Sequence, residues 1–331
     1  MSGHDVIAVG GSAGAMEAVR RLLADLPPDL RASVFVVLHA SMEIPDGLPD
    51  ILNRHCPLQV ERARDGAAVE HGRVYVFRPD YHLVVRRGEV RVTRGPRENR
   101  SRPAIDVLFR SAAAAYGSRV VGVLLSGYLD DGSAGLRALK RCGGHAVVQD
   151  PEDALVADMP RNAIERVAVD DVLPLAEIPR RLAELASASP GPSPPPPADV
   201  VQEAEIAERA SSEIPKEEAL GRLAPLSCPE CGGPLWELDD GDVRRYRCHV
   251  GHGMTARSLL CEQDDAFEEA LWVALRTLEE RTNLLRTLAG DAATAGGRGE
   301  RELFETRATE SDEQASLLRR LLRTGSTTRD A

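Results

Sequence analysis

Aromatic residues are scarce in this sequence: tryptophan, tyrosine and phenylalanine together make up 4% of 331 residues. Proteins that hold single strands by stacking bases need aromatic platforms, so the composition argues against that class. Positive charge is also in deficit, with 41 Lys and Arg against 52 Asp and Glu and a formal net charge of −11. Tracking a phosphate backbone or an anionic membrane needs clustered cations, and this balance speaks against both. Six cysteines in a chain this long are too few for a disulfide scaffold. No apolar run reaches the ~18 to 20 residues of a membrane span. The start, MSGHDVIAVGG, has neither the basic region nor the long apolar core of a signal peptide. The expectation is a cytoplasmic protein with no nucleic-acid partner and no membrane insertion. At ~150 residues per domain the length suggests about two domains.

What is present divides the chain at a compositional break. Residues 187–198, SASPGPSPPPPA, hold six prolines in twelve positions. Such a run is extended and poor in donors, which predicts a spacer. The acidic stretch from Gln202 to Glu218 reads as more linker or as a poorly packed helix. Before the break, β-branched runs (Asp5–Val9, Ser33–Leu38, Arg119–Leu125 and His145–Gln149) alternate with helical patterns. Continuous apolar strands separated by helices predict a parallel sheet covered on both faces. Val74–Phe77, His82–Arg86 and Glu89–Thr93 lie close together and predict an antiparallel excursion with a hairpin turn at Arg87-Gly88. After the break come a cysteine-bearing module and two long amphipathic patterns. One carries Phe267, Leu271, Leu275, Leu278, Leu285 and Leu288, the other Phe304, Ala308, Ala315, Leu318 and Leu322. They predict a helical hairpin or a coiled coil. The fold class expected is α/β, a modified doubly wound and mostly parallel sheet with an antiparallel hairpin. The division is a catalytic domain over 1–186, a linker over 187–222, a small zinc-ribbon-like module over 223–258 and helices over 259–331.

The strongest local signal is a strand followed by Gly10-Gly11-Ser12-Ala13-Gly14 and a helix. Small neighbours let such a turn project a serine hydroxyl from the sheet, with unpaired N–H groups of the following helix nearby. A phosphate-binding loop and a merely structural turn are the other readings of a glycine-rich strand-to-helix turn. Neither the G-x-G-x-x-G spacing nor a Walker lysine is present. A serine needs a base. His39 directly follows the strand Ser33–Leu38, and the carboxyl ends of parallel strands are where open α/β sheets place their sites. Asp131, with Asp130 as its competitor, follows a third strand and is placed to orient an imidazole. Ser12, His39 and Asp131 thus occupy the same kind of position on three strands, which strengthens the nucleophile reading.

The same span resembles the catalytic domain of the chemotaxis protein-glutamate methylesterases, the CheB type. The resemblance is carried by GGSAG, LHAS, DGAAVEHGRVYVFRPDYH, ENRSRPAIDVLFRSAA, LLSGYLDDGSAGLRALK and DMPRNAI. It implies a Ser–His–Asp hydrolase with Ser12 as nucleophile, His39 as base and Asp131 as orienting carboxylate, and no catalytic cofactor. The implied reaction is hydrolysis of glutamate γ-methyl esters on methyl-accepting chemoreceptors, with glutamine deamidation as a second activity. Gly11, Ala13, Tyr128 and Met159 are the oxyanion or substrate candidates, and Arg100, Arg102 and Arg161 the candidates for engaging acidic receptor helices. Tyr128-Leu129 replaces the family's common Met-Gly, and Ala13 stands where Thr often follows the nucleophile. The partners implied are the receptors' cytoplasmic helices, with a receptor methyltransferase or a separate response regulator as others. The phosphorylated receiver domain of well-known members is not seen ahead of the catalytic strand, so the esterase is expected to be open, with the C-terminal module acting in targeting. The rival readings are an adaptor with little turnover and an esterase for a protein outside chemotaxis.

A second site follows the proline run. Cys228 and Cys231 form Cys-x2-Cys, and Cys248 and His252 form Cys-x3-His. Three thiols and an imidazole suit tetrahedral Zn²⁺, and four protein ligands leave no open position for catalysis. A structural zinc is therefore expected, with His249 the poorer fourth ligand.

Overall fold

The structure is a computed structural model that describes residues 3–39, 47–208, 221–238 and 243–325. It divides into two compact units, Met1–Leu259 and Leu260–Ala331. The first unit is built on seven strands: β1 (Val6–Gly11), β2 (Ser33–Leu38), β3 (Gln59–Arg62), β4 (Arg73–Val76), β7 (Val120–Leu124), β8 (His145–Gln149) and β9 (Asp171–Leu173). Their order is β3-β4-β2-β1-β7-β8-β9, and every pairing is parallel. The hairpin β5 (His82–Arg86) and β6 (Glu89–Thr93) stands apart as a two-stranded antiparallel sheet. β1, β2 and β7 are buried along their whole length, which is why their sequences are continuous apolar runs rather than alternating ones. The helices α1 (Ala15–Ala24), α2 (Leu48–Asn53), α3 (Ile105–Tyr116), α4 (Ser133–Arg141), α5 (Asp158–Arg166) and α6 (Ile178–Ser187) accompany the sheet.

From β1 the chain moves first to one side, through β2, and later returns to pair β7 on the other side. The carboxyl end of β1 is therefore a topological switch point, where open α/β sheets form their crevice. Val74–Val76, grouped by proximity with the antiparallel excursion, belongs instead to the parallel sheet, between β2 and β3. The short apolar run fits either setting, and burial of Val74, Tyr75 and Val76 decides for the sheet interior.

The stretch expected as linker, 187–222, is partly built into the first unit. Ser193 Oγ accepts a hydrogen bond from Ser118 N at 3.2 Å. Helix α7 (Ala198–Glu208) buries Val200, Glu203, Ile206 and Ala207. Its carboxylate Glu203 is not solvated, because guanidinium groups from distant segments surround it, a fact that composition does not reveal. Residues 209–220 and the turn at 239–242 lie outside the described residues. The cysteine module is a four-stranded antiparallel sheet in the order β10 (Gly221–Ser227), β11 (Pro234–Leu238), β12 (Arg245–Cys248) and β13 (Gly253–Thr255). It falls within the same compact unit as the parallel sheet and is not a separately tethered body.

The second unit is helical, with α8 (Ala256–Thr294) supplying most of one arm and α9 (Arg298–Gly325) the other. Ser311 Oγ donates to Leu278 O at 3.2 Å, and Arg319 pairs with Glu279 at 2.7 Å, so the two helices lie side by side. Leu275, Leu285, Ala308 and Ala315 are buried, whereas Phe267 is exposed. Among the described residues no helix is long and apolar enough to cross a membrane.

Candidate active site

Ser12 is delivered by the turn between β1 and α1. Gly14, at φ 78, caps α1 in the left-handed region, which glycine enters without steric cost. Ser12 N donates to Ser126 O at 2.9 Å, tying the turn to the end of β7. Ser126 Oγ donates to Ala13 O at 2.7 Å and accepts from Val156 N at 2.9 Å, so the backbone around Ser12 is held from two further loops. Gly127 sits directly against it: a Cβ there would lie 2.8 Å from Ser12 Cβ and 2.8 Å from Met159 Cε.

His39 stands beside Ser12 by register. Gly11 pairs Leu38 in the parallel β1–β2 ladder, and the next residue on each strand is Ser12 and His39. Strands in a sheet run about 4.8 Å apart, so the two backbones are neighbours. His39 N donates to Gly11 O at 3.0 Å, continuing the ladder one step. Nε2 of His39 meets Oδ2 of Asp131 at 2.6 Å, which leaves Nδ1 as the ring nitrogen not engaged by the carboxylate. No hydrogen bond joins Ser12 Oγ to His39 among the described residues; such contacts often tighten only with substrate bound.

Asp131 is buried and fully ligated. Oδ2 accepts from Ile105 N at 2.7 Å, and Oδ1 accepts from Asp106 N at 3.1 Å and Asn99 Nδ2 at 2.8 Å. Ile105 and Asp106 open helix α3, so its positive end faces the carboxylate. Burial alone pushes the Asp131 carboxyl up, but the hydrogen bond and charge of His39, with Ile105 N–H and Asn99, outweigh it and hold the group down at about 2. Asp106 lies beside it, accepting from Gly132 N at 2.9 Å, Gly135 N at 2.6 Å and Asn99 Nδ2 at 2.8 Å. Burial first, and then the charge of Asp131, push Asp106 well above the usual carboxylate range. The two carboxyls are thus set apart, with Asp131 the charged one.

Asp130 points elsewhere. It takes Arg166 Nη1 at 2.9 Å and Thr255 Oγ1 at 2.7 Å, and makes no contact with His39. Burial raises its carboxyl above the usual range. The N–H groups of Ala13 and Tyr128 have no partner among the described residues and flank the Ser12 turn, a position suited to an oxyanion. Gly11 packs beneath them, where a Cβ would meet Ala15 Cβ at 2.4 Å. Tyr128 and Leu155 are exposed, at 60% and 81%, and Leu155 lies against Gly14 of the turn.

The arginine candidates are placed unequally. Arg102 is held in the domain by Asp80, at 2.7 Å, and by Gly95 O, also at 2.7 Å. Its guanidinium is committed to the fold. Arg161 is exposed and pairs Glu152 at 3.3 Å. Arg100 is exposed, with φ 68. Met159 is buried against Gly127. Asn99 and Asp106 lie in the segment ENRSRPAIDVLFRSAA, which carries the family resemblance without giving them a role, and no motif marks Thr255. Asp106 left one trace, a carboxylate inside the otherwise apolar run AIDVLF.

In the module, the ligand atoms of Cys228, Cys231, Cys248 and His252 all lie within 4.8 Å of one another. Cys231 and Cys248 sulfurs are 3.6 Å apart, and His252 Nδ1 is 3.7 Å from Cys228 Sγ and 3.5 Å from Cys248 Sγ. A tetrahedron with metal–sulfur bonds of about 2.3 Å has edges of about 3.8 Å, so the donors fit a tetrahedral ion. Two tight turns set them. Gly232 N donates to Cys228 O at 2.7 Å, and Gly251 N to Cys248 O at 2.9 Å. The hydrogen bond between the two thiols holds Cys248 down, helped by His252, and pushes Cys228 up, so the pair shares one negative charge centred on Cys248.

Residues 7–182 match the family model described as CheB methylesterase. A Leptospira interrogans protein, provisionally named protein-glutamate methylesterase/protein-glutamine glutaminase, is 38% identical over 176 residues, 53% of this chain and 91% of that protein. Protein-glutamate methylesterase/protein-glutamine glutaminase 2 of Anaeromyxobacter dehalogenans is 41% identical over 181 residues, 55% of this chain. The match spans about half of that relative's length, 53%. The crystal structure of the Thermotoga maritima CheB methylesterase catalytic domain superposes with a TM-score of 0.54 at 31% identity, over 56% of this chain and 100% of the other. The family match ends before the cysteine module begins.

Proposed function

Because the chain belongs to the CheB methylesterase family, we propose that Ser12 is the nucleophile of a protein-glutamate methylesterase acting on methylated chemoreceptors. The observation that supports this most is the 2.6 Å bond between His39 and Asp131, one register step from Ser12. In the reaction, His39 Nδ1 takes the Ser12 hydroxyl proton as Oγ attacks the γ-carbonyl carbon. The oxyanion is received by the N–H groups of Ala13 and Tyr128. The carbon–methoxy bond then breaks, and His39 returns the proton so that methanol leaves. Water, deprotonated by the same imidazole, hydrolyses the acyl-enzyme to glutamate. With glutamine the leaving group is ammonia and the product is again glutamate. Asp131 stays ionised throughout, orienting the imidazole and stabilising it when charged.

The partners are the cytoplasmic helices of methyl-accepting receptors, which places the work in the cytoplasm. Arg161 and Arg100, both on the exposed surface, would face their acidic residues, and Tyr128 and Leu155 would meet their apolar ones. Cys228, Cys231, Cys248 and His252 would hold Zn²⁺ as a structural ion, which supplies folding free energy and no reactive position. The test is labelling by a fluorophosphonate followed by peptide mapping. A single adduct on Ser12, absent from Ser12→Ala, is expected. A folded wild-type protein that takes no adduct would overturn the assignment.

A further inference from the structure

Strand β13 of the cysteine module does not end at the module. Its outer edge is continued by the catalytic segment at residues 97–99: Gly253 N donates to Arg97 O at 3.1 Å, and Asn99 N donates to Gly253 O at 2.8 Å. Two residues along, Thr255 reaches the triad from two sides. Its N–H donates to Asn99 Oδ1 at 3.0 Å, and Asn99 Nδ2 donates to Asp131 Oδ1 at 2.8 Å. Its hydroxyl donates to Asp130 Oδ1 at 2.7 Å, on the residue just before Asp131. Ser258 N in turn donates to Thr255 Oγ1 at 3.1 Å, fixing the hydroxyl so that its proton points to Asp130. Asn99 is in the left-handed region at φ 49. A side chain held there by bonds at both ends of its amide is a defined support and not a passive surface loop.

What clamps β13 in place is a buried ionic cluster that crosses from module to catalytic fold. Arg247 pairs Glu98 at 3.0 Å and Glu203 at 2.6 Å, and Arg245 pairs Glu203 at 2.6 Å. Arg110 of α3 closes the cluster on Glu98 at 2.5 Å and Glu203 at 2.9 Å. All five groups are buried, so each needs the others in place to offset its desolvation. Arg247 Nη1 also donates to Gly251 O at 2.7 Å, within the turn between the ligands Cys248 and His252. The geometry of the four-ligand set, the register of β13 and the position of Asp131 are therefore mechanically connected.

We propose that the Cys3His module is part of the active site's support, with Thr255 and Asn99 as positioning residues for the triad carboxylate. This rests on the reading of Ser12, His39 and Asp131 as the triad. It makes the module a condition for full turnover rather than a targeting appendage, and the triad reports the folded state of the metal-binding fold.

The test uses the full chain with Thr255→Val, which keeps the shape and removes the hydroxyl, and Thr255→Ser, which restores it. Thr255→Val is expected to lower kcat by roughly tenfold or more while KM stays within about twofold, because the lost hydroxyl anchors Asp130, and with it the backbone of the adjacent Asp131, and touches no substrate. The rate of fluorophosphonate labelling of Ser12 should fall by a similar factor, and Thr255→Ser should recover most of both. Should Thr255→Val not accumulate as folded protein, Asn99→Ala carries the same test with the same expectation. Wild-type kcat and labelling rate in folded Thr255→Val or Asn99→Ala overturn the proposal. Ser12→Ala, run alongside, separates the two claims: if it keeps turnover, the triad reading has failed, and if it loses turnover while the positioning variants do not, only this inference has.

Discussion

His39 and Asp131 meet at 2.6 Å although 92 residues of chain separate them. Two strand ends on the same edge of the sheet make that meeting possible, and three donors besides the imidazole decide which carboxylate it is. Asp131 collects Ile105 N–H, Asp106 N–H and the Asn99 amide, while Asp130 turns to Arg166 and Thr255.

The two adjacent carboxylates are expected to behave differently on substitution. Asp131→Asn should lower kcat by roughly 10³-fold or more, as removal of an orienting carboxylate does in other triads. Asp130→Asn should cost far less activity and show mainly as a lowered Tm, since Arg166 loses a buried charged partner. Steady-state kinetics and thermal unfolding of the pair check this. The reverse ranking would reassign the triad.

Gly127→Ala tests how closely the Ser12 turn is packed. The new methyl would stand 2.8 Å from both Ser12 Cβ and Met159 Cε. Met159 is the flexible end of a side chain and can yield, whereas Ser12 Cβ moves only with its backbone. A loss of about 10²-fold in kcat is expected with the fold retained, because small displacements of a reacting group are costly. Near wild-type labelling of Ser12 in a folded Gly127→Ala protein would show that the turn is looser than these contacts imply.

Acid stability should carry the signature of Asp131. Its carboxyl is held at about 2 against an ordinary 3.8. A depressed carboxyl contributes stability that is complete above the unfolded value and is lost as pH falls through the folded one. Between about pH 4.5 and about pH 3 the unfolded chain takes up a proton at this position that the folded chain does not, so stability falls as pH falls. In Asp131→Asn the slope of urea-unfolding free energy against pH should be shallower by up to about one proton. Equal slopes would mean that the carboxylate is not held as described.

Metal removal should reach the active site. Stripping the chain with a strong chelator is expected to release about one zinc per chain, unfold the module and lower esterase turnover together, with Zn²⁺ restoring all three. Metal analysis, far-UV circular dichroism and methanol release on the same samples measure it. A zinc-free chain with full turnover would uncouple the module from the triad.

Much of this site is legible in the sequence because its residues follow strands. Ser12 and His39 come one position after the ends of their strands, and those strands pair in register, so strand ends alone bring them together. The four ligands are legible because metal coordination fixes spacing along the chain. The support of Asp131 is not. Asn99 sits in the polar run ENRSR with no periodicity around it, and its left-handed backbone is set by tertiary contacts. Glu203 belongs to a stretch whose composition reads as solvated, and only the convergence of Arg110, Arg245 and Arg247 makes its burial tolerable. The proline run read as a free spacer for the same reason: composition reports chain stiffness, not what the chain lies against. Ser193 shows that it lies against Ser118.

Methanol release from methylated receptor fragments, wild type against Ser12→Ala at matched concentration, tests the role of Ser12 most directly. The wild-type chain should release methanol and leave glutamate, and Ser12→Ala should do so roughly 10³-fold more slowly or not at all. Equal release by the two proteins would contradict the assignment of Ser12 as the nucleophile and with it the mechanism drawn from this site.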